Sequence, residues 1–577
     1  MKSTKFFALR EVPLPGQCAT TTLTRTISVA EGIFAPGHLG ELTPYLPFEL
    51  VDDVLAQTRT VQQRMRQLPS RVGVYFLLAL VLFPSLGYAR VWDKLVAGLA
   101  GLRPPRPSEK ALRDLRRRLG AAPIKLLFET VAGPVAQPRT PGVRYRRWRT
   151  VAFDGCSSIK APDQARVRGW LGKLRRHWGW DGYPMLRLMA LCETGTRAMM
   201  GAVFGPTTTG EVGYATRLLH LLTRDMLLLA DRGFDSDDFL AQAAGTGAQL
   251  LVRMQSRRTP AVLGVLPDGS YLTIIGGVKL RIIEAHITAT TRDGRRIGDR
   301  YRLATTLLDH RTDPAAALVA LYHERWEVES AFYALRHTLL DGLVLRSCDR
   351  FGLEQELWAQ LVVYQVLRRA MTDAVESVPG TDPDRASFTV ALEAARDQVI
   401  TADGVLSKGT YEPADSAIGQ AVLDALLRKR RARISARKVK CSMSRYPAKP
   451  DSPDGPPLTS TDVIQLDISI YQVPSATSQP QASQDPQAAP NPVSGNGRRD
   501  RTLQLLRSDP DRAWNPREIA EALDIPHYRS LSAQLGHWVK EGLLRKIGRG
   551  AYALAPAWAG RDRPWTSPPE LQAPSTG

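Results

Sequence analysis

The chain is long and strongly basic. It has 577 residues, with 77 Lys and Arg against 57 Asp and Glu, and a formal net charge of +20. This length implies several domains, and the charge favours a polyanionic partner, nucleic acid before a membrane surface. The cysteines are widely spaced and form no CxxC pair, which excludes a zinc ribbon or a disulfide framework and fits a reducing cytosol.

Residues 1–140 are predicted to form a helical domain. Pro, Gly or Ser separates five segments of helical pattern: Pro47–Ala56, Val72–Phe83, Ala89–Leu99, Ser108–Leu119 and Pro123–Val131. The uncharged stretch 72–89 has the length of a membrane span. Because Pro84 and Gly87 interrupt it, we interpret it as a buried helix that ends near Phe83.

One of these helices is loaded with positive charge. It carries Arg113, Arg116, Arg117 and Arg118 within residues 108–119. Such a run is typical of a solvated helix face. It is equally typical of a face that contacts phosphate, since a guanidinium can donate two hydrogen bonds to phosphate oxygens. The sequence leaves both interpretations open.

Residues 141–345 have the strand order of an RNase H-like core. Three strand-like runs come first, then a helical segment and a fourth run: Thr150–Phe153, Met185–Cys192, Arg197–Phe204, Gly210–Leu222 and Met226–Ala230. Residues 250–310 then contain further short strands punctuated by Gly and Asp turns. We therefore expect an α/β core with a β-rich insertion at about 250–310.

Two carboxylates close strands of this core. Asp154 follows the first strand and Asp231 follows the fourth, and in such a sheet these two strand ends are neighbours. Either residue alone is typical of a turn, because Asp is common there. The pair at matching ends predicts a shared site. Nearby Asp235, Asp237 and Asp238 are instead assigned to the start of the next helix.

A third carboxylate lies in a segment that lacks Gly and Pro. A single helix through it would place Tyr322, Arg325, Glu329 and Arg336 on one narrow face, beside an apolar stripe. The simpler interpretation is an amphipathic helix with an ion pair between Arg325 and Glu329. The two aspartates favour the alternative, in which Glu329 joins them.

Three converging carboxylates suit hard divalent cations. Mg²⁺ prefers oxygen ligands and is commonly held by a few carboxylates plus substrate phosphate. A pair of such ions activates a nucleophile and stabilises the leaving oxygen in a phosphoryl transfer. We therefore expect Asp154, Asp231 and Glu329 to be both catalytic and metal-binding, with two Mg²⁺ ions that Mn²⁺ can replace.

These motifs together resemble the signature of the IS4-family DDE transposases. The spacing from Tyr322 to Arg336 matches, although the family usually has Lys at the last position. The run Leu229–Phe234 and the strand ending at Asp154 also match, and the resemblance covers roughly residues 30–445. It implies metal-dependent cleavage and strand transfer of insertion-sequence ends by cut-and-paste DNA transposition. Tyr322, Arg325 and Arg336 would then hold DNA phosphates.

The resemblance also implies that the helical domain at residues 1–140 contributes to DNA-end binding and assembly, and it implies partners and a location. The partner is double-stranded DNA, both the terminal inverted repeats and the target, bound by a homodimer; no membrane is expected. The location would be the cytoplasm of a bacterium, in association with the nucleoid. Family members also stack a flipped base on an aromatic residue of the insertion, for which Tyr271 and Tyr301 are candidates. Two alternatives remain: a metal-dependent nuclease without strand transfer, and a domesticated transposase that acts as a DNA-binding regulator.

The C-terminal region is predicted in four parts. Residues 346–445 form a helical part with a basic tail, 446–498 a disordered linker rich in Pro and Gln, 499–556 a winged-helix-like domain, and 557–577 a disordered tail. In the winged-helix-like domain, DNA contacts are expected from a third helix and a wing, through Arg529, Lys540, Arg545, Lys546 and Arg549. A protein-interaction domain of the same shape is the alternative.

Overall fold

The computed structural model describes most of the chain between residues 37 and 554. Its description leaves out 65–67, 103, 174, 177–178, 181, 293, 324, 326, 403–414, 429–432, 435–460, 472–497, 510–511, 525–530, 532–533, 537, 540–542 and 549. The chain divides into two units, residues 1–478 and residues 479–577.

The helices of the first unit surround a large sheet. In chain order they are α1 (Phe48–Gln57), α2 (Ser70–Leu82), α3 (Tyr88–Val96), α4 (Glu109–Leu119), α5 (Ala122–Val131), α6 (Ala165–Leu171), α7 (Glu211–Thr216), α8 (Asp237–Gly245), α9 (Ala315–His323), α10 (Glu327–Tyr333), α11 (Arg350–Glu376), α12 (Phe388–Thr401) and α13 (Ala417–Asp424). Helices α1–α5 lie within two or three residues of the predicted segments. In the part of the chain described here, no helix is both long and apolar enough to cross a membrane.

The sequence explains how these N-terminal helices form. Helix α2 is apolar on nearly every face, and accordingly almost all of its residues are buried. Helix α4 begins at Ser108, whose side chain accepts a hydrogen bond from the Ala111 N–H, and it ends at Gly120 with φ of 68°.

The strands of the first unit vary widely in length, and the longest are β2 in the core and β11 in the insertion. They are β1 (Arg144–Tyr145), β2 (Trp148–Lys160), β3 (Arg175–Arg176), β4 (Gly179–Trp180), β5 (Met185–Glu193), β6 (Met199–Pro206), β7 (Met226–Ala230), β8 (Gln249–Arg253), β9 (Gly264–Val265), β10 (Tyr271–Ile275), β11 (Val278–Thr291), β12 (Arg296–Thr305), β13 (Arg433–Ile434) and β14 (Thr461–Ile470). Among the described residues, the main sheet runs β13-β14-β11-β12-β8-β7-β2-β5-β6.

The five strands β6-β5-β2-β7-β8 form the RNase H-like core. Strands β2, β7 and β8 are parallel, whereas β5 and β6 are antiparallel to their neighbours. The predicted order of three strands, a helical segment and a fourth strand is thus present. The mixed α/β fold class is confirmed.

Strand β2 is longer than predicted. The expected strand ended at Phe153, with Asp154 and Gly155 in a turn, but β2 continues to Lys160 and pairs with β5 as far as Met185. Pairing with β5 outweighs the local turn preference of Asp-Gly. A register shift between Cys156 and Ile159 marks an irregularity just beyond the carboxylate.

The insertion extends the core sheet. Strand β8 pairs with β12, β12 with β11, and β11 with β10. On the edge opposite β12, β11 also pairs with β14, over Ala285–Thr291. Strand β14 lies inside residues 446–498, so the prediction of a disordered linker is wrong for Thr461–Ile470.

The segment predicted as one regular helix through Tyr322 to Arg336 has a different form. Helix α9 ends at His323, α10 begins at Glu327, and Ala334–Leu339 continues as a π-helix. The side chains of Glu327, Val328 and Glu329 fall outside the description. Arg336 lies in the π-helical part, where regular α-helical spacing from Tyr322 no longer holds.

The second unit has its own core. It contains α14 (Arg498–Ser508), α15 (Pro516–Ala522), β15 (Leu544–Gly548) and β16 (Ala551–Leu554). Helix α15 begins with the predicted capping box between Asn515 and Glu518. Residues Leu531, Leu535 and Trp538 of the predicted third helix are buried in a cluster with Ile519 and Tyr552.

Candidate active site

Strand pairing brings Asp154 and Asp231 side by side. The parallel register of β2 and β7 pairs Ala152 with Leu229. Continuing this register by two residues places Asp154, midway along β2, level with Asp231, which directly follows the carboxyl end of β7. The carboxyl ends of parallel strands are where open α/β sheets carry their ligands.

Side-chain alternation sends both carboxylates to the same face of the sheet. Ala152 of β2 and Leu229 of β7 belong to one hydrophobic core, whereas their neighbours Phe153 and Ala230 belong to the core on the opposite face. Because side chains alternate along extended chain, Asp154 lies on the face of Ala152 and Asp231 on the face of Leu229. The same core contains Phe332 and Leu335, so the segment that carries Glu329 covers this face.

Both carboxylates accept hydrogen bonds from the backbone. Asp154 Oδ1 accepts from the Gly155 N–H at 2.9 Å. Asp231 Oδ1 accepts from the Gly233 N–H at 2.7 Å and caps the short 3₁₀-helix Arg232–Phe234. These bonds fix the direction of each carboxylate, and Asp231 is half-buried.

Tyr322 supports this edge of the sheet from α9. Its ring is buried, and its hydroxyl donates to the carbonyl oxygen of Ala230 at 3.1 Å. Burial raises the pKa of Tyr322 well above its usual range, the Arg325 guanidinium opposes that rise, and the Asp231 carboxylate adds to it. Tyr322 therefore holds the end of β7 just before Asp231, and it does not face solvent as a phosphate contact would.

Arg336 lies over strand β2 beyond Asp154. Its Nη1 donates to Ser158 Oγ and approaches Cys156 Sγ at 3.9 Å, while its Nε donates to His337 Nε2 at 2.9 Å. Arg325 is buried, with 8% of its surface exposed. Of the predicted phosphate contacts, Arg336 is thus the most accessible.

Sequence comparison matches two regions of the chain to known families. Residues 36–129 match the insertion element 4 transposase N-terminal domain, and residues 152–366 match the transposase DDE domain. The second match spans Asp154, Asp231 and Glu329. The chain belongs to the IS4 family of DDE transposases.

Individual relatives agree with this IS4-family assignment. The transposase for insertion sequence element IS4 of Escherichia coli (strain K12), InsG, is 26% identical over 71% of this chain and 94% of its own. A putative transposase of the same strain, InsZ, is 25% identical over 34% of this chain and 64% of its own. The piggyBac transposase synaptic complex with hairpin DNA gives 10% identity and a TM-score of 0.34 over 62% of this chain and 80% of the piggyBac chain. That likeness is too weak to support a conclusion.

The described part of the transposase site fits a divalent metal. Asp154 and Asp231 offer carboxylate oxygens at one sheet edge, which is the donor type that Mg²⁺ prefers. Among the side chains that the structure describes, no group of three or more His, Cys, Asp or Glu is placed to hold a metal ion. Glu329 lies in α10 over the same face, but its side chain is outside that description.

Two further groups were missed or differently assigned from sequence. Asp235 was assigned to the start of α8, yet it is buried and pairs with Arg258, at 2.9 Å between Asp235 Oδ1 and Arg258 Nε. Ser158, which accepts from Arg336, had no signal beyond its position after Asp154. The expected starts Asp237 and Asp238 do lie in the first turn of α8.

The candidates for base stacking are buried. Tyr271 and Tyr301 are each 3% exposed, so neither ring is available to a base in this conformation. Tyr301 packs edge-on against Tyr322 at 5.6 Å between ring centroids. The two tyrosines instead belong to the framework of the insertion.

Two of the five DNA contacts predicted in the C-terminal domain lie in the described part of the chain. Arg545 and Lys546 are exposed on β15. Arg529, Lys540 and Arg549 lie outside the described residues. The hairpin of β15 and β16 corresponds to the predicted wing.

Proposed function

We propose that this DNA transposase cleaves the ends of its insertion sequence and joins them to target DNA by a cut-and-paste route. The observation that carries the proposal is the level pairing of Asp154 and Asp231 on adjacent parallel strands, under the segment that contains Glu329. Such an arrangement suits in-line displacement at phosphorus, in which charge must be neutralised on both attacking and leaving oxygens.

Asp154, Asp231 and Glu329 would hold two Mg²⁺ ions, which Mn²⁺ can replace. When bound, the metals supply Lewis-acid stabilisation and an activated nucleophile. The chain's own contribution is placement. Backbone N–H groups orient both aspartates, and Tyr322 fixes the end of β7 through the Ala230 carbonyl.

The basic residues would position the DNA. We assign phosphate contact to Arg336, which is half-buried at the edge of the site. Arg325 is buried near Tyr322, and its positive charge would attract the DNA phosphates without direct contact. The partners would be terminal inverted repeats and target DNA, bound by a homodimer at the bacterial nucleoid.

The test is cleavage of a plasmid that carries the DNA flanking the coding region. With Mg²⁺ or Mn²⁺, the wild-type chain should nick the 3′ strands and then give joined products. Asp154→Ala, Asp231→Ala and Glu329→Ala should each lower the rate by at least about 1,000-fold, because several kcal/mol of metal stabilisation are lost. DNA binding should persist, since affinity comes mainly from phosphate contacts of basic residues.

The matched control is Asp238→Ala, an exposed acid in the first turn of α8. It should cleave at the wild-type rate. Cleavage without joined products would instead indicate a nuclease, and DNA binding without metal-dependent cleavage would indicate a regulator. A full rate in any one of the three carboxylate variants would remove that residue from the site.

For the second unit we propose weak binding of duplex DNA, with strong dependence on salt. Support comes from its helix-and-hairpin core and from the exposed Arg545 and Lys546 on β15. Arg529, Lys540 and Arg549 are proposed as further contacts. The expected behaviour is that of phosphate contacts, which weaken as salt rises.

A further inference from the structure

The turn after β7 carries Asp231 and then enters the core. Arg232–Phe234 forms a 3₁₀-helix. The ring centroid of Phe234 lies 6.1 Å from that of Phe153 and 5.2 Å from that of Phe239. This packing holds one side of the turn. The chain then passes Asp235, whose side chain is also buried.

Arg258, in the loop after β8, contacts this turn through several atoms. Its Nε meets Asp235 Oδ1 at 2.9 Å, its Nη2 donates to the Asp235 carbonyl at 3.2 Å, and its Nη1 donates to Asp237 Oδ1 at 2.7 Å. The Gln255 N–H also donates to Asp235 Oδ2 at 2.8 Å. One guanidinium therefore fixes both the backbone and the side chains just after Asp231.

The insertion in turn holds Arg258. The Arg302 guanidinium of β12 donates to the Arg258 carbonyl at 2.6 Å and, through Nε, to Glu284 Oε1 of β11 at 2.9 Å. Arg300 donates to the second Glu284 oxygen at 2.7 Å. A continuous set of hydrogen bonds thus runs from the two long insertion strands to the Asp231 turn.

A close backbone approach supplies a second link. Gly276, in the turn between β10 and β11, has φ of 57°, and a Cβ at this position would lie 2.6 Å from the Asp237 carbonyl oxygen. Only glycine fits there, because an added methyl group would meet rigid backbone. The insertion therefore touches the 235–237 segment independently of Arg258.

We propose that Arg258 is a positioning residue for Asp231, through which the β-rich insertion sets the geometry of the metal site. The inference rests on the proposed function, in that Asp231 is taken as a metal ligand. Groups that orient metal ligands from behind typically change metal affinity by about 10–100-fold when they are removed. The insertion would thus serve the metal site in addition to any contact with DNA.

The experiment measures Mn²⁺ affinity of the full chain by electron paramagnetic resonance, without DNA. Arg258→Lys keeps a charge beside Asp235 but loses the planar fork that bonds three partners. We expect its Mn²⁺ affinity to fall by about tenfold or more. Arg258→Ala should show a larger fall, although it leaves the Asp235 carboxylate buried without its guanidinium and is interpreted only if it folds.

Arg257→Ala is the matched control, since it removes the exposed arginine next to Arg258 and leaves the hydrogen bonds of Arg258 in place. It should bind Mn²⁺ as the wild type does. Hydrogen exchange of residues 231–238, followed by mass spectrometry, gives a second readout: both Arg258 variants should exchange faster, and the control should not.

The outcomes separate the two claims. Wild-type Mn²⁺ affinity and unchanged exchange in Arg258→Lys would overturn the positioning role. If the wild-type chain binds no Mn²⁺, the proposed metal site fails, and the exchange measurement still decides whether Arg258 orders the turn. Faster exchange with unchanged Mn²⁺ affinity would show a structural role alone and would also overturn the proposal.

Discussion

Two charged regions of the first unit differ in how their charges are balanced. Between the N-terminal helices and α11, Arg116 of α4 is buried and donates to Glu356 Oε1 at 3.0 Å, to Gln355 Oε1 at 2.7 Å and to Tyr88 Oη at 2.6 Å. At the candidate metal site, Asp154 and Asp231 accept hydrogen bonds from peptide N–H groups. In the described part of the chain, no ion pair involves Asp231. In the first region a buried guanidinium pairs with a carboxylate, whereas in the second region peptide N–H groups orient the two carboxylates.

The same residue types thus stabilise the fold in one region and, under the proposed function, serve the reaction in the other. Arg116 was one of four arginines for which the sequence left a solvated and a phosphate-contacting face open. It has neither role, because 6% of its surface is exposed and its donors are used inside the protein. Its neighbours Arg113, Arg117 and Arg118 are exposed and keep both interpretations.

The largest effect is expected from removing the buried guanidinium of Arg116. Arg116→Ala should destabilise the fold by about 3–5 kcal/mol, because it leaves Glu356 buried without its cation. Thermal unfolding followed by calorimetry checks this. Arg117→Ala, which removes a mostly exposed arginine with a 3.7 Å pair to Asp114, should change stability little. Equal effects of the two variants would contradict the contrast between the buried pair and the surface pair.

A second prediction concerns acid and the same helical side of the molecule. His38 is fully buried, its Nε2 donates to the Leu95 carbonyl at 2.6 Å, and its Nδ1 accepts from the Gly40 N–H. Burial lowers the pKa of His38 to about 4, against the carbonyl bond that raises it. Since the unfolded chain takes up this proton near pH 6.5, stability should fall as the pH drops from 6.5 towards 4, by about 3 kcal/mol at most.

The measurement is the midpoint of thermal unfolding at pH 7 and pH 4.5. His38→Gln keeps one donor and one acceptor but cannot titrate, so its midpoint should fall less between the two pH values. Carboxylates such as Glu284, whose pKa the neighbouring arginines lower despite burial, add to the acid loss in both proteins. The same pH dependence in both proteins would exclude His38 as a source.

The third prediction concerns Arg336, beside the candidate metal site, whose replacement should leave the protein folded. Arg336→Ala should slow cleavage by about 100-fold, because loss of the proposed phosphate contact would misplace the reacting groups by roughly 1 Å. Bulk DNA affinity should change much less. Arg336→Lys restores the residue usual in the family and should stay within about tenfold of the wild-type rate. Single-turnover cleavage and filter binding measure the two quantities.

The control for Arg336 is Arg369→Ala, a half-exposed arginine in an i,i+4 pair with Asp373 on α11. It should affect neither rate nor affinity. An inactive Arg336→Lys would show that Ser158 and the DNA both need the guanidinium fork. The resemblance to the family would then mislead at this position.

Local patterns predicted the elements that are buried on both faces. Strand Met226–Ala230 has the predicted bounds, because its continuous apolar run is buried completely between the two cores. The pair Asp154 and Asp231 followed from the same strands. Local pattern could not predict pairing between distant segments. Strand β2 continues through Asp-Gly because it pairs with β5. Arg116 is buried because it pairs with Glu356, which lies 240 positions further along the chain.

Two other differences have distinct causes. The π-helical turn at Ala334–Leu339 shifts Arg336 from the position that regular α-helical spacing gives it. Strand β14, in contrast, had a signal. Ile464, Leu466, Ile468 and Ile470 alternate with polar residues, but the Pro- and Gln-rich composition around them favoured a linker.

The smallest expected effect concerns the C-terminal end and depends on where the chain is cut. Truncation after Pro474 keeps β14 paired to β11 and removes the second unit, so stability and strand cleavage should stay close to wild type. Truncation after Gly455 also removes β14, whose Leu466, Ile468 and Ile470 pack on the core that contains Tyr322. That shorter chain should lose both stability and cleavage. If the two truncations behave alike, β14 does not support the catalytic core; if the longer one fails to cleave, the second unit takes part in the reaction rather than in weak DNA binding alone.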